Sequence, residues 1–289
     1  MGMLHFSIRG WCQCQSLFTS LVRSFDRDGG IGLAVLMVVL FLAPSLGYAV
    51  EPFTEEAVLR GINYTPAQSS SAGRGVAFVD LDQDSHPDLV TTGRSDGLVG
   101  VFENDGTGHF IDRSVASGIP LLLEASGVIA GDYDADGDLD LFLPQFDAPN
   151  HLLRNEGNFQ FTDVTVAAGL GDAGRATGCA FADFDGDGYL DLYVANLTNK
   201  LFTIPNVLYR NLGNGTFAPT GLANGAAENE LTWQAMFLDF DVDGDADLYL
   251  SNDKGQSTNC SRFNYLFRND GGTFTDITDA SGTAACIDS

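Results

Sequence analysis

Positive charge is what this chain most conspicuously lacks. Its 289 residues hold 14 Lys+Arg against 39 Asp+Glu, a net charge of −25, and lysine occurs only at Lys200 and Lys254. Without a basic footprint there is nothing to meet a phosphate backbone, so nucleic acid is excluded as a partner. Histidine is almost as scarce: His5, His86, His109 and His151 are the full set, and no two have metal-ligand spacing. Of five cysteines, only Cys179, Cys260 and Cys286 lie beyond residue 49, so at most one intramolecular disulfide can form among those three. Cys260 and Cys286 share one repeat and are the expected pair in an oxidising compartment, while Cys179, inside TGCAFADF, reads as buried filler. One long apolar run exists, Ile31 to Ala43, too short for a span that needs about 20 residues. Arginines at Arg9, Arg23 and Arg27 precede it, and Pro44 and Gly47-Tyr48-Ala49 come after it. That layout is a secretory signal peptide over residues 1–49, which predicts a secreted, periplasmic or cell-surface protein with no stable membrane span after cleavage.

What the chain has in abundance is phenylalanine (21), glycine (34) and aspartate in a repeated arrangement. An Asp-rich loop occurs four times: DLDQDSHPD from Asp80, DYDADGDLD from Asp132, DFDGDGYLD from Asp183 and DFDVDGDAD from Asp239. Behind each comes a second element, VFENDGTGHF, LLRNEGNFQF, LYRNLGNGTF or LFRNDGGTF, and then a piece such as Phe161-Thr-Asp-Val-Thr. Short apolar runs flank these loops: Val76–Val79, Cys179–Ala182 and Ala235–Leu238 before them, Leu141–Leu143, Leu192–Ala195 and Leu248–Ser251 after. Val207–Arg210 and Tyr265–Arg268 make a third strand, and the Phe-initiated piece (Phe274–Thr278 in the last unit) a fourth. Hairpin-type turn residues separate them, and no segment after residue 50 carries a long helical period. Four antiparallel strands per unit of about fifty residues predict a propeller blade. The expected fold is all-β, a β-propeller over residues 50–289 with units near 74–120, 126–171, 177–224 and 233–284. Residues 53–62, FTEEAVLRGI, match the blade ending FTDVTVAAGL at 161–170, an extra outer strand that predicts an incomplete ring.

Number each loop from its first aspartate. Asp80, Asp132, Asp183 and Asp239 hold position 1; Asp82, Asp134, Asp185 and Asp241 hold position 3. Asp84, Asp136, Asp187 and Asp243 hold position 5, and Asp88, Asp140, Asp191 and Asp247 position 9. Packed like this, carboxylates should repel and raise one another's pKa unless a cation compensates. Alternate residues of a tight loop point inward, and glycine at position 6 permits the sharp turn, except in loop 1, where Ser85 stands there and Pro87 stiffens the turn. Oxygen-only, multi-carboxylate cages suit Ca²⁺, which takes 6–8 oxygens in irregular geometry, better than Mg²⁺, which keeps several waters. Up to four Ca²⁺ are expected. His86, Asp138, Tyr189 and Asp245 at position 7 vary freely, as a backbone-carbonyl ligand would. An EF-hand needs Glu at position 12, and here that position is Thr91, Leu143, Val194 and Leu250. Solvated turn formation is the alternative role for any single loop.

The stretches GVAFVDLDQDSHPDL, GCAFADFDGDGYLDL and LYRNLGNGTF resemble the FG-GAP (VCBS) repeat, the calcium-binding blade of integrin α-subunit propellers. The FTD-x-T and RN-x-G elements resemble secreted proteins of the cartilage acidic protein type, which commonly end in an ASPIC/UnbV domain that this sequence does not show. That resemblance implies calcium-stabilised blades and an adhesion or binding role toward an extracellular protein or carbohydrate, and no reaction. Gly93-Arg-Ser95-Asp-Gly97 fits the GxSxG pattern, but a strand over Leu98–Phe102 comes next, where a nucleophile elbow needs a helix. The regular carboxylates are committed to the loops, so a non-enzymatic module is expected. A scaffold within a larger extracellular enzyme is the alternative. Trp233, Tyr193 and Tyr249 read as blade core, with a sugar platform as the competing reading.

Overall fold

The computed structural model describes residues 54–67, 74–171, 173–197, 204–220, 232–252 and 264–283. Apart from Thr54 and Glu55, they belong to one compact unit, Glu56–Ser289. The leader expected at 1–49 and the Cys260–Cys286 pairing lie outside the described residues.

Four antiparallel sheets succeed one another along the chain. Blade 1 consists of β1 (Val76–Val79), β2 (Asp88–Thr91), β3 (Gly100–Asn104) and β4 (Phe110–Asp112), hydrogen-bonded in that order. In blade 2, β5 (Ile129–Gly131) and β6 (Asp140–Leu143) are followed by β7 (Phe146–Pro149), which leaves the sheet, and then by β8 (His151–Asn155) and β9 (Phe161–Asp163). Blade 3 is β10 (Ala173–Ala182), β11 (Asp191–Asn196), β12 (Val207–Asn211) and β13 (Phe217–Pro219). Blade 4 is β14 (Thr232–Leu238), β15 (Asp247–Asn252), β16 (Tyr265–Asn269) and β17 (Phe274–Asp276). The chain thus forms the predicted all-β propeller blades. In every blade the Asp-rich loop joins the first two strands, because its turn residues end one apolar run and position 9 begins the next.

Three details differ from the sequence expectation. The strand β7 pairs with β10 of the next blade (Gly174 with Ala148), a tie that the loop-like FDAP sequence conceals. The strand predicted at Leu98–Phe102 is shifted to Gly100–Asn104, because Ser95 and Asp96 occupy a turn closed by Gly97 N–H to Arg94 O at 3.1 Å. The last outer strand stops at Asp276, and Thr278–Ser281 forms a single helical turn, α1. As expected for GxSxG in a hairpin, strand and not helix comes after Ser95.

Alternation along the first strand of each blade sets the packing. Val128, Cys179 and Ala235 occupy one equivalent position, as do Ala130, Phe181 and Phe237, and these side chains pack back onto the preceding blade. Ala77, Ile129 and Ala180 point the other way, into the core of their own blade. Blade 1 leaves Val76 and Phe78 62% and 64% exposed on its outward face, and blade 4 leaves Met236 49% exposed on the opposite one. The propeller is therefore incomplete within the described residues. Tyr193 is buried core, whereas Trp233 is 43% exposed. Cys179 is buried with a free thiol, and burial pushes its pKa well above the ordinary value.

Residues 56–62 repeat the turn that succeeds β9. Arg60, Gly61 and Ile62 N–H donate to Glu56, Val58 and Ala57 carbonyls, as Ala168, Gly169 and Leu170 donate to Val164, Val166 and Thr165. Arg60 O then accepts from Phe110 N–H, as Ala168 O accepts from Phe217 N–H. The resemblance of FTEEAVLRGI to a blade ending is real at the level of backbone bonds, although its strand portion is not formed among the described residues. Among those residues no helix is long and apolar enough to cross a membrane.

Candidate metal centre

The aspartates do not hold the loops by repulsion; they hold them by accepting backbone N–H groups. Position 1 accepts from positions 5 and 6 in every loop, as in Asp187 N–H to Asp183 at 3.0 Å and Gly188 N–H to Asp183 at 2.8 Å. Position 5 accepts from the position-7 N–H, as Asp136 does from Asp138 at 2.9 Å. Position 9 is fully buried (Asp88, Asp140, Asp191 and Asp247 at 0%) and accepts twice. One oxygen takes the position-2 N–H, from Leu81, Tyr133, Phe184 and Phe240. The other takes the N–H of Asn104, Asn155, Asn211 and Asn269 at 2.7–2.8 Å. Left-handed backbone occurs at two loop positions. Position 6 has it at Gly137, Gly188 and Gly244, as expected, and at Ser85 (φ 71°). Position 4 has it at Gln83, Ala135, Gly186 and even the β-branched Val242 (φ 64°), which local residue preference argues against.

Three carboxylates converge in each loop, with one oxygen from each within 4.8 Å of the others. The sets are Asp80, Asp82 and Asp88; Asp132, Asp134 and Asp136; Asp183, Asp185 and Asp191; and Asp239, Asp241 and Asp247. Asp84, Asp187, Asp243 and Asp140, the remaining aspartates predicted to bind through their carboxylates, fall outside these sets. Position-7 side chains are engaged elsewhere. His86 Nδ1 lies 3.1 Å from Asp84 Oδ2, Asp138 accepts from Gln83 Nε2 at 2.5 Å, and Asp245 accepts from Gly271 N–H at 2.8 Å. The Tyr189 ring lies against Gly213, which leaves no room there for a Cβ.

Burial, more than mutual repulsion, sets the electrostatics. It is the first cause raising Asp134, ahead of Asp136 and Asp132, and the first raising Asp82, ahead of Asp84. Desolvation pushes Asp88 up to about 6 and Asp140 and Asp191 up to about 7, against the lowering effect of their backbone hydrogen bonds. Asp84 goes the other way, held below the ordinary carboxylate value by its bond to His86. Whether the loops fit a cation is tested by their leftover oxygens: Asp134 Oδ1 and Asp185 Oδ1 are buried without a hydrogen-bond partner. Both are position-3 oxygens within a triad of hard oxygen donors, so the residues present suit a divalent ion.

An asparagine that charge patterning does not single out completes the loop. Asn155 Nδ2 donates to Leu139 O of its own loop (3.1 Å) and to Leu81 O of the preceding one (2.9 Å). Asn211 spans to Tyr133 O and Asn269 to Phe184 O in the same way, both at 2.7 Å. Each clasp ties one blade to the loop before it. Its signal in the sequence is the recurring asparagine of LLRN, LYRN and LFRN. The Asp-x-Thr element has a comparable structural task, since Thr165 Oγ1 and N–H both donate to Asp163 while Leu152 N–H donates to Thr165 Oγ1.

Residues 80–143 and 132–194 match the family described as FG-GAP-like repeat. Cartilage acidic protein 1 of Xenopus tropicalis is 25% identical over 254 residues, covering 82% of this chain and 36% of the relative. The Homo sapiens protein of the same name is 24% identical over 237 residues, covering 75% and 34%. The chain spans about a third of the length of these curated relatives. A solved structure described by its recognition of non-reducing terminal N-acetylglucosamine, from an Agrocybe aegerita lectin, is similar at 22% identity and a TM-score of 0.40, over 68% of this chain and 49% of that one. Its loops, blades and family match together show that the chain carries FG-GAP-like repeats over residues 80–194.

Proposed function

We propose that this chain is a calcium-binding propeller module, acting outside the cell in adhesion or in recognition of a protein or carbohydrate, and carrying no reaction of its own. The observation behind this reading is the recurrence of a three-carboxylate cluster at the same place in four loops, two of them with a buried, unpartnered oxygen. Bound there, Ca²⁺ would supply charge compensation and a rigid link between the first two strands of a blade. Position 1 and 3 carboxylates would hold it, joined by position 5 or 9 and the position-7 carbonyl. Because the Asn clasps attach loops 1, 2 and 3 to the next blade, stiffening those loops also stiffens the blade-to-blade joints. The extracellular part of the reading rests on the leader-like residues 31–49 and on relatives named for cartilage.

Calorimetric titration with Ca²⁺ and thermal melts with and without EDTA test the proposal. We expect binding heat for as many as four ions and a melting temperature lowered by chelation. A ligand present at 100 times its Kd contributes about 2.7 kcal/mol per site, which moves a domain of this size by several degrees. No heat and an unchanged melting temperature in EDTA would sink the calcium reading.

A further inference from the structure

Loop 3 differs from loops 2 and 4 in a neighbour that sits on its hairpin rather than in the loop itself. In each of these blades the residue before the clasping asparagine is arginine. Arg154 turns to Glu156 at 2.7 Å and Arg268 to Asp270 at 2.8 Å, in each case an acid two residues on. Blade 3 has Leu212 at that place, half exposed and with no charge to offer. Arg210 turns into the loop instead. Its Nε lies 2.5 Å from Asp185 Oδ2 and its Nη2 2.9 Å from Asp187 Oδ2. Asp185 is a member of the converging triad, and its other oxygen is the buried, unpartnered one. The same loop is also poorer in acid, with Tyr189 where loops 2 and 4 carry Asp138 and Asp245.

We propose that Arg210 is the resident counter-cation of loop 3 and makes it a weaker divalent-cation site than loops 2 and 4. The inference rests on the calcium reading above. A divalent ion entering loop 3 must share Asp185 with a guanidinium that repels it, or displace that guanidinium into water where no acid of its own hairpin awaits it. Loops 2 and 4 face a smaller cost, because Arg154 and Arg268 hold their direct ion pairs outside the loop, with Glu156 and Asp270, and act on Asp134, Asp241 and Asp243 only through longer-range charge. Arg210 is 45% exposed, so the handicap is screened by salt.

The test is Ca²⁺ calorimetry on the full chain, comparing the parent with Leu212→Asp, Arg210→Gln and Arg154→Gln at low and high ionic strength. Leu212→Asp gives Arg210 the partner its counterparts have, on an exposed turn away from the core. We expect Leu212→Asp and Arg210→Gln each to tighten one site by roughly three- to fivefold at low salt, the upper end of the scale of a partly exposed ion pair. That gain should shrink at about 0.5 M KCl and vanish when Asp183→Asn is added, which assigns it to loop 3. Arg154→Gln should leave every site within about twofold. A parent chain that takes up no Ca²⁺ at all refutes the calcium reading, and this inference with it. A chain that binds Ca²⁺ but gains in neither loop 3 variant, or gains equally in Arg154→Gln, refutes the role of Arg210 alone.

Discussion

At the scale of single residues, uncharged side chains tie one blade to the next. Asn155 satisfies a buried carbonyl and a half-buried one on two different blades, while Asn104, its equivalent in blade 1, donates its Nδ2 to Pro87 O within its own loop. Replacing each by alanine therefore separates the clasp from the asparagine itself. Leaving a buried carbonyl unpaired costs about 1–3 kcal/mol, so Asn155→Ala should cost about 2–3 kcal/mol and Asn104→Ala about 1. Urea denaturation midpoints at constant m-value would measure the difference, and equal losses would contradict the inter-blade role. The aspartates were legible in the sequence because charge crowding is conspicuous and periodic. The asparagines repeat just as faithfully but resemble ordinary turn residues, and only the folded chain shows that their amides reach another blade. Position 4 was hidden for a different reason. Its left-handed backbone is imposed on Gln83, Ala135 and Val242 by the hydrogen bonds of position 1, against local preference.

At the scale of elements, one sequence position has two fates. Phe78, Phe181 and Phe237 stand at the same place in the first strand of blades 1, 3 and 4. Phe181 packs edge-on to Phe142 of the preceding blade (centroids 6.4 Å, 74°), and Phe237 edge-on to Tyr193 (6.5 Å, 84°), whereas Phe78 faces solvent. Phe181→Ala should cost about 2–3 kcal/mol, somewhat below the value for a fully buried ring, and Phe78→Ala no more than about 0.5. Comparing chemical denaturation of the two variants checks this; a large loss at Phe78 would mean that something covers that face in solution. The contrast also explains how much of the fold could be read in advance. Strand identity and blade membership derive from short apolar runs, the turn residues between them and their fourfold repetition, so they were legible. Strand β7 was not, because Phe146–Pro149 contains a proline and an aspartate at φ 59°, and its strand character exists only through β10 of the next blade.

At the scale of the whole molecule, the buried position-9 carboxylates couple stability to pH in a direction opposite to that of a salt-bridged acid. Asp88, Asp140 and Asp191 are raised in the folded chain, chiefly by burial, from the ordinary 3.8 to about 6, 7 and 7. Between those limits the folded state holds protons that the unfolded state has released. Stability from these groups is therefore complete below about pH 4 and is lost as pH rises through about 6 to 7. The metal-free chain, in EDTA, should accordingly melt at progressively lower temperature from about pH 4 to about pH 7. Self-repulsion from a net charge of −25 acts in the same sense, but salt screens it, while buried carboxylates are screened far less. A decline that persists at about 0.5 M salt therefore belongs to the loops. Saturating Ca²⁺ should flatten the profile, since a cation favours the ionised carboxylate and removes the reason to hold the proton. A flat profile in EDTA would mean that these aspartates are ionised when buried, compensated by their N–H bonds alone. The loops would then need no metal to stay folded, and any bound ion would serve recognition instead of stability.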